Sequence, residues 1–157
     1  MKRTLLMIAL MLMLAPPARA AMEHDHGHQA HNMKMTKGIS MHEMEIDGFR
    51  VKFQIMDREA FRSYMDDMGH KTHEMREGMT HYVMVDLADG EGKQISRAHV
   101  RLTVTDPAGK AEERVAFPMM GSFGAEFQLP SKGTCEVSTF FKVEGKEHQG
   151  GYSHKLK

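Results

Sequence analysis

The stretch SMHEMEIDGFRVKFQI, residues 40–55, sets the fold of this chain. Asp47 and Gly48 tolerate the positive φ angles of a two-residue hairpin turn, and apolar residues alternate on both sides of them. One face of the predicted hairpin is largely apolar and pairs Ile46 with Phe49, Met44 with Val51, His42 with Phe53, and Ser40 with Ile55. The other face pairs Glu45 with Arg50 and Glu43 with Lys52. A slip of one residue would turn every side chain to the wrong face, so the register is well specified.

The chain after the hairpin predicts one short helix and then only strands. Asp57 suits the N-cap of a helix and Gly69 suits its end, and Phe61, Tyr64, Met65 and Met68 recur at helical spacing between them. We therefore expect a helix near residues 57–68. Further on, apolar residues alternate over 81–87, 98–104, 115–117, 123–129, 135–143 and 148–156, with turns between the runs. Seven or eight short strands of this kind predict a mainly β chain, an antiparallel β-sandwich.

A resemblance supports this fold class. The run ISRAHVRLTVTDPAGK at residues 95–110, and the later FGAEF at 123–127 before a glycine-containing turn and a last hairpin, resemble small exported immunoglobulin-like domains of the YtkA/FixH type. The resemblance covers roughly residues 80–157 and consists of strands and turns. It implies an immunoglobulin-like sandwich in the cell envelope. Some relatives are linked to metal handling, but the resemblance assigns no functional residue here.

The N-terminus has the pattern of an export signal. Lys2 and Arg3 precede an apolar run, and Ala18-Arg19-Ala20 offers a cleavage site near Ala20. The run is too short for a membrane span, although an uncleaved anchor is the alternative. We therefore expect a signal peptide at 1–20, a flexible Met/His-rich leader at 21–38, one β-sandwich domain at 39–157, a periplasmic location, and no membrane span after cleavage. No basic stripe is present, so nucleic acid is not an expected partner.

The composition favours soft metal ligands. The chain has 17 methionines and 11 histidines but a single cysteine, Cys135, so no internal disulfide can form. Thioethers suit Cu(I), and imidazole binds copper, zinc and nickel. A first candidate cluster is the leader, whose histidines could wrap a divalent ion, with a solubilising leader as the alternative reading; they are His24, His26, His28 and His31.

A second candidate cluster lies around the predicted helix end. Its proposed metal ligands are Met68, His70, His73, Met75, Met79 and His81. Met65 belongs to the same stripe as Phe61 and is expected to be core, because a methionine stripe is more often packing than ligand.

Four other positions are weaker candidates for metal binding. Met44 is expected in the core, His42 is left open, and Cys135 is expected to be buried and inert. On a regular strand His81 and Met84 point to opposite faces, so they are not expected to bind one ion together.

Motifs typical of enzymes are absent from the sequence: it contains no phosphate-binding glycine loop, His-Glu-x-x-His pair or nucleophile elbow, so we do not expect an enzyme. The sequence instead predicts a periplasmic metal-binding protein, a copper carrier or buffer, with copper as the bound ion and another divalent metal as an alternative. A metal-indifferent protein-interaction domain of the envelope is the alternative function. In that case the methionine-rich helix would be the docking face for an envelope protein.

Overall fold

The computed structural model describes residues 37–70 and 74–156. In these residues one helix and nine strands follow in the order β1 (Ile39–Ile46), β2 (Phe49–Asp57), α1 (Arg58–Asp67), β3 (His81–Ala88), β4 (His99–Thr105), β5 (Ala111–Val115), β6 (Phe117–Met119), β7 (Ser122–Phe127), β8 (Gly133–Val143) and β9 (Lys146–Leu156). The predicted signal peptide and nearly all of the predicted leader lie outside the described residues. Within the described ranges, no helix is long and apolar enough to cross a membrane.

The strands form two antiparallel sheets, which confirms the predicted antiparallel β-sandwich. Sheet A has the strand order β1-β2-β3-β7-β6, and sheet B has the order β5-β4-β8-β9. Their facing sides enclose the sandwich core, which is built mainly from valine, leucine, isoleucine and phenylalanine. Because alternate residues of a strand face opposite sides, each sheet turns one set of side chains into this core.

The first hairpin has the predicted register. Ile46 pairs with Phe49 and Met44 with Val51, and the other predicted pairs follow in order. Asp47 and Gly48 have φ angles of 50° and 83°, as the tight turn requires. Across the polar face the Arg50 guanidinium lies 3.6 Å from the Glu43 carboxylate.

The predicted helix is also confirmed, with bounds one residue inside the expected ones. Asp57 is its N-cap and accepts a hydrogen bond from the Ala60 amide at 2.8 Å. Gly69 follows the helix with a φ angle of 82°, which glycine adopts without strain. Ala60, Phe61 and Met65 are the buried residues of its inner face, which rests on the outer side of sheet A.

The expected strand at 115–117 is wrong. Two separate strands, β5 and β6, meet there, and the buried Ala116 between them donates its amide hydrogen bond to the Val100 carbonyl at 2.9 Å. The chain leaves sheet B and enters sheet A at this residue. The sequence does not reveal this crossover, because the backbone is extended on both sides of Ala116 and the alternation of side chains continues from β5 into β6.

Candidate functional site

A second hydrophobic core lies on the outer side of sheet A, beneath helix α1. Its buried members are Met56, Ala60, Phe61, Met65, Met75, Tyr82 and Met84, and its partly buried members are Ile39, Tyr64, Met79 and Met119. Six of these eleven residues are methionines. We call this group the methionine layer. It brings thioethers from β2, α1, β3, β6 and the segment 74–80 to one side of the sheet.

Arg58, the first residue of the helix, holds the segment after the helix against this layer. Its guanidinium donates hydrogen bonds to the carbonyls of Met75 at 3.2 Å, of Arg76 at 3.1 Å, and of Met79. The Arg76 guanidinium in turn lies 2.6 Å from the Glu126 carboxylate on β7. The backbone carbonyls of Met75, Arg76 and Met79 lie outside any helix or strand, so they need other hydrogen-bond donors. Arg58 supplies these donors and thereby holds the irregular segment 74–80 in place.

Tyr82 is the aromatic centre of the methionine layer. Its ring stacks on Phe61 with centroids 4.3 Å apart, and its hydroxyl donates to the Met119 sulfur at 3.9 Å. Gly124 leaves room for the ring, because a Cβ there would lie 2.3 Å from Tyr82 Cε1. Burial, helped by the negative charge of Glu126, raises the pKa of Tyr82 to about 12. The phenol therefore stays protonated at neutral pH.

A cavity of about 390 Å³ opens beside the layer. Its lining is four charged residues, Arg58, Glu59, Arg62 and Glu74, together with Phe61 and Met75. Met75 has only 5% of its surface exposed, yet it is part of the cavity wall. The cavity thus lies against two members of the layer, Phe61 and Met75.

The predicted ligands around the helix are divided between its two ends. Met68 and His70 follow its C-terminal end, and both are exposed. The backbone of Met75 and Met79 is instead held by Arg58 at the N-terminal end. A ten-residue helix is about 15 Å long. The structure therefore does not gather these four residues at one point. His73 and the leader residues His24, His26, His28 and His31 lie outside the described residues.

His81 lies on the other side of sheet A from the methionine layer. Alternate residues of β3 point to opposite sides of sheet A. His81 is on the inward side with Val83 and Val85, whereas Tyr82 and Met84 are on the outer side in the methionine layer. The expectation that His81 and Met84 point to opposite faces is confirmed. It follows that His81 is also separated from Met75 and Met79 by the sheet itself.

The weaker candidates mostly take the expected places. Met65 is buried in the layer, and Met44 packs against the sandwich core. His42 is half-buried and stacks on Tyr152, with ring centroids 3.9 Å apart. Cys135 is a buried free thiol, and burial raises its pKa, which disfavours the reactive thiolate.

Sequence reasoning did not single out Met56, and it assigned neither Met84 nor Met119 to a shared layer. The signal for two of them was present, because β2 and β3 are buried on both faces over most of their length. The predicted alternation of apolar and polar residues assigns a buried role to the inward face only. It therefore gives no role to the apolar residues on the outer face of the same strands. In the described ranges, no group of three or more His, Cys, Asp or Glu residues is placed to hold a metal ion.

Comparison with known proteins supports the fold alone. No protein-family model and no curated protein matches the chain. A crystal structure of a DUF4426 family protein from Pseudomonas aeruginosa PAO1 is similar, with a TM-score of 0.55 and 15% sequence identity over 74% of this chain and 94% of that one. The comparison supports a β-sandwich domain, and it does not single out the YtkA/FixH type.

Proposed function

We propose that this protein is an exported copper carrier or buffer that binds Cu(I) through thioether and imidazole ligands. The leader histidines capture the ion, and the folded domain holds it at the methionine layer. Export by the signal at residues 1–20, a periplasmic location, kinship with the YtkA/FixH type of domain and the absence of enzymatic activity belong to the same proposal.

The observation that carries the proposal is the segregation of methionine within the fold. The layer has six methionines among eleven residues, whereas Met44 is the single methionine among the twenty-five residues of the sandwich core and its margin. Thioether sulfur is a soft ligand that suits Cu(I) and does not form disulfides in an oxidising compartment. The one thiol, Cys135, is buried in the sandwich core and does not compete for the ion.

Access to the layer supports the same function. The charged cavity reaches Met75, and Met68 exposes 46% of its surface beside the exposed His70. An ion delivered by the leader therefore has ligands on the surface as well as in the layer. Arg58 and Arg76 keep the segment that carries Met75 and Met79 on the sheet, so those two thioethers stay near the others.

An anaerobic Cu(I) titration of two chains tests the proposal. One is the full-length chain, and the other is a leader-silenced chain with His24, His26, His28 and His31 changed to asparagine and Met22, Met33 and Met35 to leucine. We expect the leader-silenced chain to keep at least one tight equivalent of Cu(I) and to lose binding of divalent copper. If it retained only weak Cu(I) binding, the folded domain would not be the holding site.

A protein-interaction domain is the second candidate, and one surface favours it. Val115 and Phe117 expose 50% and 70% of their surfaces on the edge strands β5 and β6, and Met120 exposes 40% in the following turn. Exposed apolar residues at a sheet edge suit contact with another protein. Weak Cu(I) binding in the titration above would favour this function over the carrier.

A further inference from the structure

Within the described residues, strand β5 has a neighbouring strand on one side only. It is the outermost strand of sheet B and pairs with β4. Just beyond its two ends, the Ala116 amide donates to the Val100 carbonyl and the Asp106 amide donates to the Lys110 carbonyl, both at 2.9 Å. Every second residue of an antiparallel strand bonds to the same neighbour. The residues whose backbone N–H and C=O groups point to the free edge are therefore Ala111, Glu113 and Val115.

The side chains of β5 carry charge in a symmetrical order. Glu112 and Arg114 lie on one face of the strand and form an ion pair, and they stand on either side of Glu113. Glu113 points to the other face, where its carboxylate lies 3.1 Å from the Arg101 guanidinium. Val115 is on that same face and exposes 50% of its surface. The edge thus offers unpaired backbone groups, an exposed apolar residue and two opposite charges.

This order is complementary to itself. When a second β5 lies antiparallel with the two Glu113 residues opposite each other, each Glu112 faces the second copy's Arg114. These are positions without backbone hydrogen bonds between the strands, where opposing side chains come closest. Moving the second strand by two residues would place Glu112 opposite Glu112, or Arg114 opposite Arg114. The charges therefore favour one register, and that register has two-fold symmetry.

We propose that β5 is a homodimer interface, at which two copies join their B sheets into one continuous sheet. The outward groups would form about six backbone hydrogen bonds, and each Val115 would be covered by the second copy's Ala111. The two Glu113 carboxylates meet at the axis, and each is neutralised by its own Arg101. Charges on an edge strand usually prevent pairing with other strands. Here they exclude strands of a different charge order and admit a copy of the same strand.

A charge-reversal experiment on the full-length chain tests the interface by sedimentation equilibrium, at concentrations up to about 1 mM. We expect a reversible monomer–dimer equilibrium. Arg114→Glu and Glu112→Arg should each weaken it at least about tenfold, because each change makes both cross-strand pairs repulsive. An equal mixture of the two variants should restore the affinity, since the mixed dimer has Glu opposite Arg at both positions. Lys146→Glu, at the start of β9 on the other edge of sheet B, is the control and should change nothing.

Amide hydrogen exchange locates the contact on the strand. The amides of Glu113 and Val115 should exchange more slowly as the concentration of the unmutated chain rises, and Arg114→Glu should abolish this dependence. A chain that stays monomeric would overturn the proposal and leave the edge open to a strand of another protein. A dimer that both reversals leave unchanged, or a mixture that binds no more tightly than its components, would also overturn it. None of these outcomes depends on Cu(I), so they do not bear on the carrier function.

Discussion

The two hydrophobic cores of this protein are filled with different chemistry. The sandwich core consists mostly of β-branched and aromatic side chains, whereas the methionine layer on the other side of sheet A is more than half methionine. Strands β2 and β3 contribute to both cores, so the difference does not come from separate parts of the chain. The same strand places Val83 and Val85 inward and Met84 outward.

The geometry of the two cores explains part of this difference. The sandwich core lies between two regular sheets, where stiff branched side chains pack well. The methionine layer lies between a sheet, a short helix and an irregular segment, and such gaps suit the flexible methionine side chain. Packing alone would therefore place some methionines there. Stability measurements and metal measurements are needed together, because a packing role and a ligand role respond differently to the same substitution.

The largest expected effect contrasts truncations in the two cores. Phe123→Ala in the sandwich core should lower the free energy of unfolding by about 3–5 kcal/mol, because a rigid core leaves a cavity. Met84→Ala in the layer should cost about 2 kcal/mol, the low end for a buried methionine, because neighbouring methionines can move into the space. Urea denaturation measures both. Equal costs would show that the layer is packed as rigidly as the sandwich core.

The second prediction concerns the close contact between Gly124 and the Tyr82 ring in the methionine layer. In Gly124→Ala the new methyl group would overlap the Tyr82 ring, so we expect a loss of about 1–3 kcal/mol and a changed near-ultraviolet circular dichroism of tyrosine. Gly90→Ala is the control, because its nearest neighbour would be the Gly48 carbonyl at 3.4 Å and the shift should stay within about 0.5 kcal/mol. An unchanged tyrosine signal in Gly124→Ala would mean that Tyr82 does not need this space.

A third change weakens the strand pair that both cores share. Gly48→Val should cost about 1–3 kcal/mol, because valine resists the φ angle of 83° even though no atom lies within 4 Å of the added Cβ. Gly48→Asn should cost less, since asparagine tolerates this region. Thermal unfolding followed by methyl NMR should show both cores weakening together. A change confined to one core would indicate that the hairpin supports only that core.

The sequence was sufficient for the features that depend on neighbouring residues. The turn at Asp47-Gly48 and the alternation around it predicted the hairpin register, and Asp57 and Gly69 predicted the helix ends. It was insufficient where distant strands meet. The crossover at Ala116 leaves the alternation unbroken, and the stacking of His42 on Tyr152 depends on how the two sheets pack. Among the predicted ligands that the structure describes, His81 is separated from Met75 by sheet A, which local spacing does not reveal.

The smallest expected change in stability is the one that distinguishes packing from metal binding in the layer. Leucine has nearly the volume of methionine, so Met56→Leu, Met75→Leu and Met84→Leu should each cost less than about 1.5 kcal/mol in the free energy of unfolding. Leucine has no sulfur, however, and cannot bind Cu(I). In the leader-silenced chain we therefore expect the triple leucine variant to stay folded and to lose the Cu(I) equivalent whose binding shifts the methionine methyl signals. Three changes that introduce methionine into the sandwich core, Leu87→Met, Leu102→Met and Val137→Met, should not create a Cu(I) equivalent, because the rigid surroundings leave no route for the ion. Unchanged Cu(I) binding in the leucine variant would show that the methionines of the layer only fill space, and the comparison of the two cores would then concern packing alone.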